Sequence, residues 1–154
     1  MTKIDYKKRG TTSRASGLRF ERKVRKNLEE KGFIVCKWAN NVELSGDNIE
    51  DKKQIPYGMK FEFQGKIIPA KNKFNPFSKA MMLGSGFPDF IAFQDCDTNY
   101  NKRIIGVEAK SNGRLNKIEK IKCQWYLDNH IFNKIFIAKK GEKRGQLIYN
   151  EFKS

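Results

Sequence analysis

Between Gly86 and Lys110 the chain runs G-F-P-D-F-I-A-F, crosses a polar loop that ends at Arg103, and continues I-I-G-V-E-A-K. Two short apolar runs separated by a turn read as paired strands, and they carry acids where such strands rarely tolerate them. Successive side chains in a strand point to opposite faces. Asp89, Ile91 and Phe93 therefore share one side of the first run, and Phe90 and Ala92 the other. In the second run Glu108 and Lys110 share a face, while Ile105, Val107 and Ala109 take the opposite one. If the two strands pair in register, Asp89, Glu108 and Lys110 converge at one end of a sheet. Two carboxylates and an ammonium at such a point are the ingredients of a Mg²⁺ site with a water-positioning lysine. The competing reading is an exposed cross-strand ladder of Glu108 and Lys110, with Asp89 capping the strand.

The rest of the composition narrows the partners. The 154 residues suit one domain with a real core. Thirty-two Lys+Arg against 17 Asp+Glu leave a formal charge of +15, a field that favours polyanions. No apolar run is long enough to span a bilayer, and the start M-T-K-I-D-Y-K-K-R has no apolar core of a signal peptide. Nucleic acid, a cytoplasmic (nucleoid-associated or viral intracellular) setting and no membrane partner are the resulting expectations. Cys36, Cys96 and Cys123 form no C-x-x-C pair, and with a lone His130 they make no zinc motif, so reduced idle thiols are expected. A Cys123–His130 nucleophile pair has no support in the pattern.

Taken in order, residues Met1–Ser16 read as a basic arm, either lying along a phosphate backbone or merely solvated. A helix from about Gly17 to Lys31 carries the stripe Phe20, Val24, Leu28 and stops at Gly32. Glu21 falls at the edge of that stripe. It is either an exposed i,i+4 partner for Arg25, the simpler reading, or an acid aimed along the core edge toward the sheet. A strand follows over Gly32–Trp38. The long insert 39–83 predicts a hairpin in Met59–Pro69 turning at Gln64–Gly65, and in Lys71–Lys79 it interleaves lysines with Phe74 and Phe77. That segment either stacks on bases and grips phosphates or docks its phenylalanines on the core. Asp47, Glu50 and Asp51 lack Ca²⁺-loop spacing. Beyond Lys110 come a turn, a helix of about Asn116–Asn129 with Ile118, Ile121, Lys122 and Trp125 on one side, a strand Lys134–Ala138, a basic turn and a strand Gln146–Phe152. Gln124 and Lys117 share a stripe of that helix. The order predicts a single-domain mixed α/β sheet rather than a regular βαβ array.

A helix with a glutamate, a Pro-Asp strand, Glu-x-Lys and a helix with a glutamine is the order of the PD-(D/E)xK nucleases. The matching positions are Glu21, Pro88-Asp89, Glu108-Ala109-Lys110 and Gln124. S-R-A-S-G-L-R-F-E-R-K-V-R-K-N-L-E-E-K-G-F-I-V resembles the opening helix and strand of archaeal-type Holliday junction resolvases, and the Gly84–Ser111 stretch resembles their catalytic hairpin. N-G-R-L-N-K-I-E-K-I-K-C-Q-W-Y-L is similar to VRR-NUC domains, which act on branched or flap DNA. The resemblance spans Ser13–Trp38 and Gly84–Ala138; the insert is longer than in those resolvases. It implies a restriction-endonuclease-like αβββαβ core and a Mg²⁺- or Mn²⁺-dependent endonuclease, working as a homodimer on branched DNA. Asp89, Glu108 and the Ala109 carbonyl would hold the metal, with Glu21 on a second metal or a metal-bound water. Lys110 would orient the attacking water, and Gln124 would orient Lys110 or touch the phosphate. Candidate DNA contacts are Arg14, Arg19, Lys73, Ser85 and Lys117. The readings left open are a junction resolvase, a flap or branched-DNA nuclease, and a basic module that binds nucleic acid without cutting.

Overall fold

The computed structural model describes residues 6–45, 64–75, 79–82, 84, 86–96 and 101–153. Helix α1 covers Tyr6–Glu30, so residues 6–16 belong to a regular helix and not to an extended arm. No helix-breaking proline interrupts this run, and Gly10 and Gly17 alone are too weak to stop it. Phe20, Val24 and Leu28 recur every four residues and are all buried, as their spacing requires. The helix ends at Gly32, whose φ of +85° lets Phe33 N–H reach back to the Leu28 carbonyl at 3.1 Å.

The strands are β1 (Ile34–Lys37), β2 (Asn40–Ser45), β3 (Gln64–Pro69), β4 (Lys73–Asn75), β5 (Ala80–Met82), β6 (Phe90–Cys96), β7 (Asn101–Ala109), β8 (Lys134–Lys140) and β9 (Leu147–Glu151), with helix α2 (Lys117–Asp128) between β7 and β8. The main sheet is ordered β1-β6-β7-β8-β9. The β7–β8 pair is parallel and the others antiparallel, which makes the sheet mixed. The parallel step is the one bridged by α2, as a crossover demands. The strands β6 and β7 run further into the expected polar loop than the apolar pattern suggested, pairing Gln94 with Arg103 and Cys96 with Asn101.

Alternation sorts the sheet residues between two cores. On one face Phe90, Ala92, Ile105, Val107 and Ala138 pack with Phe20, Val24 and Leu28 of α1. On the other, Ile135 and Ile137 pack with Phe87, Phe132 and with Cys123 and Tyr126 of α2. The α2 face expected to point inward is displaced: Cys123 and Tyr126 are the buried residues, and Ile118 is exposed. Phe132, between α2 and β8, is buried in this second core.

The insert differs most from expectation. Gln64 and Gly65 are not a turn; they sit within β3, opposite Ser45 and Leu44 of β2. This ribbon buries Val42 in the second core and packs Gly65 against Trp125, so part of the insert is a wall of the domain. Phe74, in the β4–β5 ribbon, is 61% exposed and does not dock on the core. Asp47, Glu50, Asp51, Phe77 and Ser85 lie outside the described residues.

Candidate active site

The β6–β7 register sets Phe90 opposite Val107, which brings the residues just before β6 beside the last residues of β7. Asp89 and Glu108 are then tied to each other's main chain. Asp89 N–H donates to Glu108 Oε2 at 3.0 Å, and Ala109 N–H donates to Asp89 Oδ2 at 2.9 Å. Both carboxylates are buried, at 8% and 5% exposure, so the exposed-ladder reading fails. Two further contacts hold the Pro-Asp segment. Tyr126 Oη donates to the Phe87 carbonyl at 2.8 Å, and Phe87 N–H donates to Asn40 O at 2.9 Å. Gly86 lies so close to the main chain of Trp38 and Asn40 that a β-carbon there would overlap it. That close approach is what the glycine serves in this fold.

Lys110 reaches Glu108 Oε1 at 3.1 Å and Glu119 Oε1 at 2.7 Å. Glu119 is the third residue of α2, and its other oxygen accepts the Asn116 N–H at 2.8 Å while Asn116 Oδ1 accepts the Glu119 N–H. The helix-capping box thus also fixes the lysine. Gln124 does not reach this place: its side chain bonds Asp128 at 2.7 Å, one turn along α2, and the role expected of it at Lys110 is filled by Glu119. The sequence signal was the pair Asn116/Glu119 at capping-box spacing.

Glu21 reaches the site from α1. It does not pair with Arg25, which bonds Glu29 at 2.9 Å. Its partner is Lys37 at the end of β1, 2.7 Å away, and Lys37 also lies 3.5 Å from Asp89 Oδ1. Only the β1–β6 register, with Lys37 opposite Phe90, made this lysine a neighbour of Asp89. Glu21, Asp89, Glu108, Lys110 and Glu119 line a cleft of about 410 Å³, with Asn41, Gly86, Phe87, Ala109, Asn116, Ile118 and Lys122 completing the wall. Lys122 bonds Asn41 at 2.7 Å and is the remaining cation at the cleft.

Burial sets the electrostatics. It pushes Glu108 up to about 8, with the neighbouring Asp89 charge adding to it and Lys110 opposing it. Burial, followed by the Glu21 charge, likewise raises Asp89 against its Ala109 N–H bond and Lys37. Desolvation works against the Lys110 ammonium, but Glu119 and Glu108 outweigh it and its pKa stands above the ordinary value. Lys37 is raised in the same way, its burial outweighed by Glu21 and Asp89. Lys122, by contrast, is lowered by burial. Burial also pushes the Cys123 thiol up to about 12, which disfavours its thiolate.

Among the described residues no three acidic, imidazole or thiol groups form a ready metal cage. The donor set is nonetheless one that a hard cation accepts. Mg²⁺ takes one or two carboxylates and completes its shell with water and substrate phosphate. Asp89 and Glu108 are two such carboxylates, mutually repelling and short of countercharge, in a cleft large enough for both. Glu21 stands beyond Lys37, whose ammonium lies between it and Asp89.

Among the candidate DNA contacts, Arg14 and Arg19 lie exposed along α1 and Lys117 is exposed at the first turn of α2. Lys73 falls in β4. Arg14, Arg19 and Lys117 do not line the acidic cleft. No helix among the described residues is long and apolar enough to cross a membrane. Comparison with known proteins finds no matching family model, no matching curated protein and no matching solved structure.

Proposed function

We propose that this chain is a divalent-metal-dependent endodeoxyribonuclease that hydrolyses phosphodiester bonds in structured DNA, with the four-way junction as first-choice substrate. One observation carries the reading: Asp89 and Glu108 are buried, cross-bonded through each other's main chain, and share a cleft with Lys110. Buried carboxylates that lack full compensation are costly to a fold and mark functional sites. The charge of +15 supports a polyanionic substrate.

Asp89, Glu108 and the Ala109 carbonyl would hold Mg²⁺ or Mn²⁺, with Glu21 on a second metal or a metal-bound water, and the metal would supply Lewis-acid polarisation of the phosphate and an acidified water. The chain's own residues do the remainder. Lys110, kept protonated by Glu108 and Glu119, acts as a donor that orients water and offsets charge growing on the phosphoryl oxygens. Lys37 offsets part of the negative charge of Glu21 and Asp89 before a cation enters, which lowers the cost of an open acidic cleft. Lys122 adds a positive group on the cleft wall for the non-bridging phosphate oxygens.

A second reading, a module that binds nucleic acid without cutting, is favoured by the same Lys37 bridge, because the site is partly self-neutralised. The two part company in one assay. End-labelled four-way junction, flap, single strand and plain duplex are incubated with purified protein and Mg²⁺. The nuclease reading expects cleavage that chelator abolishes and that Asp89→Asn or Glu108→Gln lowers by on the order of 10²-fold or more. Uncut substrate with wild type, or equal cutting by the variants, overturns it. Paired symmetric cuts on the junction, made by a homodimer, identify a resolvase. A preference for flaps would instead fit the VRR-NUC-like reading.

A further inference from the structure

Across α1 from the acidic cleft lies a second groove of about 380 Å³, lined by Ser16, Arg19, Phe20 and Lys23 of the helix and by residues 140–146. Its charge is of opposite character. Arg19, Lys23, Lys140, Lys143 and Arg144 line it, with Glu142 as the one acid. All five cations are exposed, and none of them makes an ion pair with a carboxylate among the described residues. Uncompensated like charges repel, so such a cluster is costly unless an anion occupies it.

The groove is built on an ordered turn. Gly141 N–H donates to Gln146 O at 2.9 Å, Gln146 N–H donates to Lys143 O at 3.0 Å, and Lys143 N–H donates to Gln146 Oε1 at 3.2 Å. Gly145, at φ +94°, permits the reversal. These bonds hold the main chain of the 140–146 turn and leave the Lys143 and Arg144 side chains free to point at a ligand.

Its position relative to the acidic cleft follows from the topology. Because β7 and β8 are parallel, Ala109 and Lys140 end at the same side of the sheet. Lys110 N–H and Lys140 N–H bond across that end, to Ala138 O at 2.9 Å and Ser111 O at 3.3 Å. On α1, Arg19 and Lys23 stand two residues either side of Glu21, about 160° around the helix from it. One helix, on the order of 10 Å across, thus separates the two clefts.

We propose that this groove is a phosphodiester-backbone subsite, which grips the same nucleic-acid chain whose neighbouring phosphate enters the acidic cleft. The second half of the statement rests on the nuclease reading; the first does not. A backbone crossing α1 meets arginine and lysine donors on one side and the acidic cleft on the other. The groove thereby sets which phosphate lies at Asp89 and supplies salt-dependent affinity that a carboxylate-lined cleft lacks.

The test measures binding of a labelled DNA duplex and a four-way junction in chelator, where no cleavage occurs, over a range of salt. Lys143→Gln/Arg144→Gln is compared with Lys120→Gln/Lys153→Gln, two exposed lysines outside the groove. Loss of two phosphate contacts should weaken binding on the order of 10- to 100-fold near physiological salt and reduce the log–log salt slope by about 2. The control pair should change both far less. Unaltered thermal midpoints show that neither pair acts through folding. If groove and control variants bind alike, the subsite is overturned even if the protein cuts DNA. If the groove variant loses binding but wild type never cuts, the subsite stands and the nuclease reading falls. Loss of binding to anionic phosphatidylserine vesicles with unchanged DNA affinity would overturn the nucleic-acid assignment in favour of a lipid surface.

Discussion

Glu108→Gln is the substitution whose effect is most directly fixed by the site. Glu108 is 5% exposed, and burial together with the Asp89 charge raises it from an ordinary 4.5 to about 8. A carboxyl whose folded pKa lies above its unfolded one binds its proton more tightly when folded. Its stabilising contribution is complete below about pH 4.5 and is lost as pH rises through about 8. At about 1.4 kcal/mol per pH unit, the gap sets a ceiling of about 5 kcal/mol. Asp89, also raised, titrates within the same cluster and contributes with the same sign. A loss on the order of 2–5 kcal/mol between about pH 5 and pH 9 is therefore expected for the metal-free wild type. Lys110 and Lys37, both raised, stay charged across that window and do not change the sign. Glutamine keeps an acceptor for the Asp89 N–H and cannot ionise, so the variant should lose much less and become the more stable protein at the alkaline end. Urea midpoints for both proteins at several pH values, in chelator, measure this. Adding Mg²⁺ should restore wild-type stability at high pH, because binding to the ionised pair favours the folded state, and should leave the variant nearly unmoved. Parallel pH curves for the two proteins would refute the reasoning, showing that Lys110 compensates Glu108 fully.

Other changes probe the scaffold around the pair. Glu119→Gln keeps a capping acceptor but removes the 2.7 Å contact that raises Lys110, so the Lys110 ammonium should titrate at lower pH by lysine-selective NMR, with at most about 1 kcal/mol lost from α2. Tyr126→Phe deletes the buried 2.8 Å bond to the Phe87 carbonyl and should cost about 1–3 kcal/mol by urea denaturation, leaving an unsatisfied acceptor beside the Pro-Asp segment. Gly86→Ala forces a methyl into the main chain of Trp38 and Asn40, an overpacking expected to cost about 1–3 kcal/mol or more and to shift Asp89, which reduced Mg²⁺ affinity by calorimetry would report.

Much of this architecture was legible in local patterns. The stripe of Phe20, Val24 and Leu28 and the alternation of Phe90/Ala92 and Ile105/Val107 announced which faces would meet, because helix and strand periods place side chains without reference to the rest of the chain. Acids breaking into those apolar strands announced Asp89 and Glu108 for the same reason. The N-terminal helix begins earlier than its apolar stripe, since the basic and polar residues 6–16 carry no periodic signal that would reveal it. Gln64–Gly65 read as a turn because turn chemistry is local, whereas its pairing with Leu44 and Ser45 spans some twenty residues of sequence.

Partners across the sheet were beyond any local pattern. Lys37 becomes a neighbour of Glu21 and Asp89 only through the β1–β6 register, and Glu119 rather than Gln124 meets Lys110 only through the way α2 packs beside the end of β7. The rise of Glu108 likewise required the enclosure that α2 and the β2 ribbon complete. The sequence by itself determined that two carboxylates and a lysine would stand at one end of an apolar sheet on a strongly basic chain. Tertiary structure alone decided which counterions hold them, how deeply they are desolvated, and that a basic groove lies one helix away, because each depends on contacts between residues far apart in the chain.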